Sequence, residues 1–285
     1  MGTSETGTLT GFSRALYASW LWHRPLQLIV DAGEGLQLAL GTQMFGPSHV
    51  LLTHGHSDHI LGLPGFIAAR RFSKGATNKP LTVLHPADSR AVPALRDMLA
   101  GLWPGVDFPV TWVPMSHGAT HALTGTRTIE AFDVQHTPGE HTLGYRVVER
   151  RRRLKAAFAA LPAAEIEALA RAGRRDELTE TLTHPLFVHS GDAMPIPLEW
   201  ARGADLLVHD ATFLDTADRR EPIHASTEEV FDLARRAGVT ELVLQHLSIR
   251  YPRETAGARL AEQRAASGFQ GRCWLLDEGN LLPIR

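Results

Sequence analysis

The stretch Thr53-His54-Gly55-His56-Ser57-Asp58-His59 places four metal-ligating side chains within six residues. It follows an apolar run at residues 50–53, which is typical of a strand, and it precedes a helical pattern over residues 60–72. A tight turn at the end of a strand can direct His54 and His56 at one cation, while Asp58 and His59 reach a second cation beside it. The pattern therefore predicts a two-metal site at a strand-to-helix turn.

The composition is that of a globular protein. The chain has 285 residues, of which 44% are hydrophobic and 21% are charged, and this excludes wholesale disorder and collagen-like or coiled-coil architectures. A net charge of −2 gives no global basic field of the kind that indicates nucleic-acid binding. The apolar stretch at residues 15–22 is far shorter than the roughly 20 residues of a membrane span, so we expect no membrane partner.

The single cysteine, Cys273, cannot form an internal disulfide. This indicates a reducing compartment, and we expect a cytoplasmic protein. With a single cysteine in the chain, we expect a bound metal to be coordinated by nitrogen and oxygen atoms. Imidazole and carboxylate groups favour zinc, with manganese as the alternative, so the expected cofactors are two divalent ions, Zn²⁺ first.

Short apolar runs alternate with helical patterns along the chain, which is typical of α/β packing. We expect a single domain over residues 1–285. The predicted strands lie at residues 26–30, 50–53, 81–84, 129–134, 143–148, 186–189, 206–209, 242–245 and 273–276. The predicted helices lie at residues 60–72, 88–100, 227–237 and 254–266.

Residues 149–183 break this alternation. They are rich in Arg, Ala, Leu and Glu without a β-branched run, which predicts an inserted helical arm of one or two helices. Between residues 150 and 175, eight Lys and Arg residues stand against two Glu, a local charge of +6 in a chain of net charge −2. Such an excess is either a solvated helical face or a surface that contacts phosphates.

The HxHxDH motif at residues 54–59 resembles the signature of the metallo-β-lactamase superfamily. Further stretches, in the same order, resemble ribonuclease Z, the endonuclease branch that trims tRNA 3′ ends. They are VDAGEGLQL at residues 30–38, SGD at 190–192, ADLLVHDATF at 204–213, HAST at 224–227 and QHLSIRY at 245–251. The resemblance implies a four-layer αβ/βα sandwich, with two β-sheets between outer helices and the active site at the sheet edges.

The resemblance also implies further metal ligands. Asp192 would be the carboxylate that bridges both metals, an arrangement that two-metal hydrolases use to activate one water molecule. His246 would complete the second site together with Asp58 and His59.

The resemblance implies that two residues would transfer protons and that a third would orient one of them. Asp58 would orient or deprotonate the attacking water in addition to binding a metal. His224 matches the general acid of the family. Asp210 occupies the position of the glutamate that orients this acid in the family.

The third histidine of the first site departs from the family's spacing, in which it lies six residues before a Gly-Tyr-Arg sequence. Here Gly144-Tyr145-Arg146 is preceded by His136 at eight residues and by His141 at three. Residues 136–142, HTPGEHT, resemble the HTPGHT of glyoxalase II-type relatives with one residue inserted, and there the first histidine is the ligand. His136 directly follows a predicted strand and is the predicted ligand, with His141 as the alternative.

These features predict a metal-dependent phosphodiesterase of the ribonuclease Z kind, with precursor tRNA as a substrate and residues 149–183 as the counterpart of the family's RNA-binding arm. Residues 9–20 keep little of the family's glycine-rich N-terminal stretch, and the arm lacks the family's Gly-Pro motif. The alternatives are therefore a hydrolase of a small phosphodiester such as a cyclic nucleotide, or a glyoxalase II-like thioester or ester hydrolase. Relatives are often dimers, so the resemblance implies a homodimer.

Overall fold

The computed structural model describes residues 8–73, 79–107 and 109–285, and within them the strands form two β-sheets. The first sheet contains, in spatial order, β1 (Leu9–Arg14), β2 (Ala18–His23), β3 (Leu28–Val30), β4 (His49–Leu51), β5 (Leu81–Pro86) and β6 (Val110–Met115). Strands β3 to β6 are parallel to one another, so their carboxyl ends meet at one edge of the sheet.

The second sheet runs in spatial order from the last strand to β7. It contains β14 (Asn280–Pro283), β13 (Arg272–Asp277), β12 (Glu241–Gln245), β11 (Leu206–Asp210), β10 (Thr179–His189), β9 (Leu143–Leu154), β8 (Arg127–Asp133) and β7 (Thr120–Ala122). Strands β10 to β13 are parallel and the flanking pairs are antiparallel.

Helices lie on the outer faces of both sheets and in the arm at residues 149–183. They are α1 (Leu36–Leu40), α2 (Ser57–Ile60), α3 (Leu63–Phe72), α4 (Ala91–Leu102), α5 (Ala163–Arg171), α6 (Arg175–Leu178), α7 (Leu198–Ala201), α8 (Thr227–Ala237) and α9 (Arg253–Ser267). Helix α8 begins with a capping box formed by Ser226 and Glu229 and ends at Gly238 in the left-handed conformation, as the sequence pattern indicates. None of the described helices is long and apolar enough to cross a membrane.

Three apolar clusters define the layers. One, which includes Leu28, Leu51, Tyr145 and Val208, fills the space between the two sheets. A second packs α1, α3 and α4 on the first sheet, and a third packs α7, α8 and α9 on the second. The predicted four-layer αβ/βα sandwich is confirmed.

The arm at residues 149–183 differs from the sequence prediction. Helices are present at Ala163–Arg171 and Arg175–Leu178, but the prediction is wrong for residues 149–154 and 179–183, where β9 and β10 continue as a long antiparallel ribbon. The ribbon is stabilised across the strands, for example by Arg153, which lies opposite Glu180 and pairs with it at 2.7 Å. Such a pairing joins residues far apart in the chain, so local periodicity cannot show it.

A buried hydroxyl joins the two sheets next to the metal-ligand turn. Tyr145 on β9 is fully buried, and its hydroxyl donates a hydrogen bond of 2.8 Å to the carbonyl oxygen of Leu52, just after β4. Burial raises the pKa of the Tyr145 phenol well above its usual value, so the hydroxyl stays protonated and remains a donor.

Tyr145→Phe leaves the Leu52 carbonyl without this donor, and a buried unsatisfied acceptor costs about 1 to 3 kcal/mol. We expect the free energy of unfolding to fall by that amount, as measured by urea denaturation. Tyr17→Phe is the control, because Tyr17 is exposed and should tolerate the change. Equal stability of the two variants would contradict this account of how the sheets are joined.

Candidate metal centre

The first ligand cluster combines three histidines from two loops. His54 and His56 lie in the turn between β4 and α2, and His136 lies in the loop between β8 and β9. One ring nitrogen of each lies within 4.8 Å of the others. The Nδ1 atom of His136 donates to the carbonyl oxygen of Ile223 at 3.0 Å, which leaves its Nε2 for the cluster, 3.4 Å from Nδ1 of His56.

The second cluster joins helix α2, which directly follows that turn, to the end of β12. Asp58, His59 and His246 also have ligand atoms within 4.8 Å of one another. The Oδ2 atom of Asp58 lies 3.7 Å from Nε2 of His59 and 3.8 Å from Nε2 of His246.

Asp192 lies between the two clusters. Its Oδ2 atom is 3.3 Å from Nε2 of His59, 3.1 Å from Nε2 of His246 and 4.0 Å from Nε2 of His54. Burial opposes ionisation of this carboxyl, but the neighbouring charges of His246 and His59 hold its pKa well below the usual value. One carboxylate therefore faces ligands of both clusters, which is the position of a bridging ligand.

The donor set fits a pair of divalent cations. Among the described side chains, Nε2 of His54, His59 and His246 and Oδ1 of Asp192 are buried without a hydrogen-bond partner. Buried polar atoms without partners are costly, and four of them directed into one site indicate a ligand that they share. Burial lowers the pKa of His54 well below its usual value, so this imidazole is neutral, as metal binding requires.

Residues behind the clusters fix the ring orientations. The carboxylate of Asp31 accepts from Nδ1 of His59 at 2.8 Å and from both the amide and the hydroxyl of Thr53. The hydroxyl of Thr212 lies 2.9 Å from Nδ1 of His246. Both imidazoles therefore present Nε2 to the site.

Sequence analysis missed both Asp31 and Thr212 as supporting residues. Asp31 lies inside the quoted 30–38 stretch and Thr212 inside the 204–213 stretch. Their position within these motifs is the signal that could have identified them. Asp31 has a φ of 56° and His246 a φ of 63°, in the left-handed region that non-glycine residues seldom occupy. Such strained positions cluster at functional sites, where the surrounding structure fixes them.

His224 and Asp210 form a pair beside the ligands. The Nδ1 atom of His224 donates to Oδ2 of Asp210 at 2.6 Å. The amides of Ala193 and Thr212 also donate to the Asp210 carboxylate, which is fully buried. Burial opposes protonation of His224, but the charge of Asp210 and this hydrogen bond raise the pKa of His224 to about 9. The Asp210 side chain therefore reaches the His224 imidazole and fixes the orientation of the ring.

The structure brings together all nine residues predicted for the site. His141, the alternative to His136, lies outside both ligand clusters. His141 instead contacts the Asp133 carboxylate at 2.9 Å. It also lies 3.7 Å from the exposed Asp88. The residues that lie together are His54, His56, Asp58, His59, His136, Asp192, Asp210, His224 and His246.

Comparison with known proteins shows the superfamily and the fold to which the chain is similar. Residues 27–172 match the β-lactamase superfamily domain. In fold, the chain is similar to the metallo-β-lactamase fold protein YhfI from Bacillus subtilis, with a TM-score of 0.64 at 15% identity, covering 96% of this chain and 98% of that one. It is also similar to the short form of human tRNase Z, with a TM-score of 0.62 at 19% identity, covering 97% and 99%.

Curated relatives give the family. The chain is 31% identical to ribonuclease Z of Natronomonas pharaonis in an alignment of 308 positions, which covers 100% of this chain and 96% of the relative. It is 34% identical to ribonuclease BN of Salmonella heidelberg over 264 residues, which cover 83% of each. The chain therefore belongs to the β-lactamase superfamily and, within it, to the ribonuclease Z family, and it is a metal-dependent hydrolase.

His136→Ala and His141→Ala distinguish the two candidates for the third histidine of the first cluster. We expect His136→Ala to bind one metal ion fewer than the unmodified protein, because its nitrogen belongs to the cluster. His141→Ala should keep the full complement. Metal content after dialysis, measured by inductively coupled plasma mass spectrometry, gives the answer. The reverse pattern would assign the ligand to His141.

Proposed function

We propose that the protein is a two-metal phosphodiesterase that acts on RNA, with precursor tRNA as its substrate. The observation that carries the proposal is the His224–Asp210 pair beside Asp192. One nitrogen of His224 lies within 4.8 Å of ligand atoms of Asp192 and His136. A protonated imidazole at this place suits a reaction whose leaving group is a strongly basic alkoxide.

The metals of the proposal are zinc ions, since the ligands are imidazoles and carboxylates. Bound dications in such a site neutralise charge on phosphoryl oxygens and make a hydroxide nucleophile available near neutral pH. His54, His56, His136 and Asp192 would hold the first ion, and Asp58, His59, His246 and Asp192 would hold the second.

Asp58 and His224 divide the proton transfers between them. Asp58 is only partly buried, and we assign it the orientation and deprotonation of the attacking water. His224 donates its proton to the leaving oxygen from Nε2, because Nδ1 is hydrogen-bonded to Asp210. The guanidinium of Arg219 donates to the carbonyl oxygen of His224 at 3.1 Å and pairs with Glu229, which fixes the backbone that carries the acid.

The arm contributes less charge than its sequence suggests. Over residues 149–183 there are eight basic and six acidic residues, and most of the arginines pair with an acidic side chain. The pairs within the arm are Arg151–Glu149, Arg152–Asp176, Arg153–Glu180, Arg171–Glu167 and Arg174–Glu177. Among the described residues, Arg150, Lys155 and Arg175 make no ion pair, and we assign any phosphate contact of the arm to them.

A homodimer in the cytoplasm completes the proposal. It rests on the resemblance to dimeric relatives and on the single cysteine, Cys273, which is buried and unpaired.

A small phosphodiester is the second candidate substrate. The N-terminal stretch Leu9–Arg14, which lacks the family's glycine-rich sequence, forms the regular strand β1, and the arm is largely neutralised by its own ion pairs. Both parts that would hold RNA thus differ from the family's pattern, while the metal-ligand residues all lie together.

Side-by-side turnover of three substrates by the zinc-loaded protein tests the proposal. They are a 3′-extended precursor tRNA, bis(p-nitrophenyl) phosphate and a thioester. Cleavage of the tRNA after its discriminator base supports the processing role. Turnover of the small phosphodiester without tRNA cleavage would favour the second candidate, and turnover of the thioester alone would contradict both.

His224→Ala should separate acid catalysis from metal catalysis. A ribose alkoxide needs a proton from His224, so we expect cleavage of precursor tRNA to fall by about 10² to 10⁴-fold. Because p-nitrophenolate leaves without a proton, turnover of bis(p-nitrophenyl) phosphate should fall much less. Metal content is the control and should not change. An equal loss on both substrates would contradict the assignment of His224 as the acid.

Replacing Arg150, Lys155 and Arg175 together with alanine tests the arm. If these three cations contact phosphates, the slope of log binding constant for precursor tRNA against log salt concentration should decrease by about 2 to 3. Filter binding at several salt concentrations measures it. Turnover of bis(p-nitrophenyl) phosphate should be unchanged, and an unchanged salt slope would show that the arm does not contact the substrate backbone.

A further inference from the structure

The first ligand cluster depends on two loops that belong to different sheets. His54 and His56 follow β4 of the first sheet, whereas His136 follows β8 of the second. The three imidazoles converge only if these loops keep a fixed relative position. One side of this junction is held by the amide of Leu143, which donates to the carbonyl oxygen of Thr53 at 2.9 Å.

Glu140 holds the other side of the junction. Its Oε1 atom accepts a hydrogen bond of 2.7 Å from the amide of Gly55, the residue between the two histidines of the turn. A Cβ atom built on Gly55 would lie 2.8 Å from the same Oε1 atom, so the carboxylate lies directly against the turn. A bond from a backbone amide to a carboxylate is among the stronger hydrogen bonds in proteins.

The local sequence places this side chain. The amide of Glu140 donates to the carbonyl oxygen of Thr137, and Gly139 has a φ of 85°. Proline at the second position and a positive-φ glycine at the third are typical of a type II turn. Glutamate is the extra residue that HTPGEHT contains relative to HTPGHT, and the turn directs it back to the β4 loop.

The direct contact between His136 and His56 cannot hold the two loops together once metal is bound. Nε2 of His136 and Nδ1 of His56 are 3.4 Å apart and can share a proton. Metal binding requires the unprotonated lone pair of each ligand, so that hydrogen bond is lost when both nitrogens coordinate. The bond from Gly55 to Glu140 uses no metal-binding atom, and it is retained.

We propose that Glu140 is a positioning residue for the first metal site, holding the His54–Gly55–His56 turn in register with His136. This inference rests on the two-metal site of the proposed function. Removing a group that orients metal ligands typically costs 10- to 100-fold in metal affinity. Glu140 should therefore determine the affinity of the first site and leave that of the second, built on Asp58, His59 and His246, unchanged.

Zinc titration of the metal-free protein in competition with a chromophoric chelator tests the proposal without any measurement of turnover. Glu140→Ala should bind one of two zinc ions about 10- to 100-fold more weakly, with the other ion unaffected. Glu140→Gln should remain within about 3-fold of the unmodified protein, because its amide oxygen accepts the same hydrogen bond.

Asp88→Ala is the matched control, because it removes an exposed carboxylate near the same loop without touching Gly55. It should bind both ions normally. Circular dichroism and melting temperature of the metal-free proteins show whether each variant is folded. If Glu140→Ala is not folded, Glu140→Asp supplies the test, because it keeps the charge but is one methylene too short for the bond to Gly55, and it should weaken the same single ion.

Five outcomes would overturn the proposal or the two-metal function on which it rests. Normal zinc binding by a folded Glu140→Ala overturns the proposal, as does equal weakening of both ions. Equal weakening by Asp88→Ala, or a loss in Glu140→Gln as large as in Glu140→Ala, would show a charge effect and overturn it too. If the unmodified protein binds fewer than two zinc ions, the two-metal function itself fails, which is distinguishable from a failure confined to Glu140.

Discussion

The buried carboxylate of Asp192 is the group on which the arrangement of the site depends. It is 2% exposed, and Nε2 atoms of His54, His59 and His246 lie within 4.0 Å of its Oδ2 atom. A carboxylate removed from water must be compensated by positive charge or hydrogen bonds. The three histidines come from the turn after β4, from α2 and from the end of β12, so the compensation requires the carboxyl ends of both sheets to meet at one place.

Buried polar groups connect the strands of both sheets to the metal-ligand side chains. Asp31 connects β3 to His59 and to Thr53, and Thr212 connects the end of β11 to His246. Each of these bonds replaces one that a buried group would make with water, so the orientation of the rings is tied to the packing of the sheets. Positive φ angles at Asp31 and His246 are tolerated because the surrounding bonds fix the backbone there.

The metal-ligand site and the arm at residues 149–183 differ in how closely they follow the pattern of the ribonuclease Z family. The ligands and the His224–Asp210 pair lie together, with Asp210 close enough to reach the imidazole at 2.6 Å. The arm is a β-ribbon with two short helices whose arginines mostly pair with acidic neighbours. Charges already paired within a protein bind an external phosphate less strongly, so only the few unpaired cations of the arm remain available for a phosphate contact.

The sequence by itself determined the HxHxDH turn, the α/β alternation and the family, because ligand spacing and apolar periodicity are local properties of the chain. It predicted neither the hairpin of β1 and β2 nor the ribbon of β9 and β10, since strand pairing joins distant residues. Only the tertiary structure decided between His136 and His141 for membership of the first cluster, because an inserted residue makes spacing ambiguous. It also decided the contacts of Asp31, Thr212 and Glu140, whose partners lie 22 or more residues away.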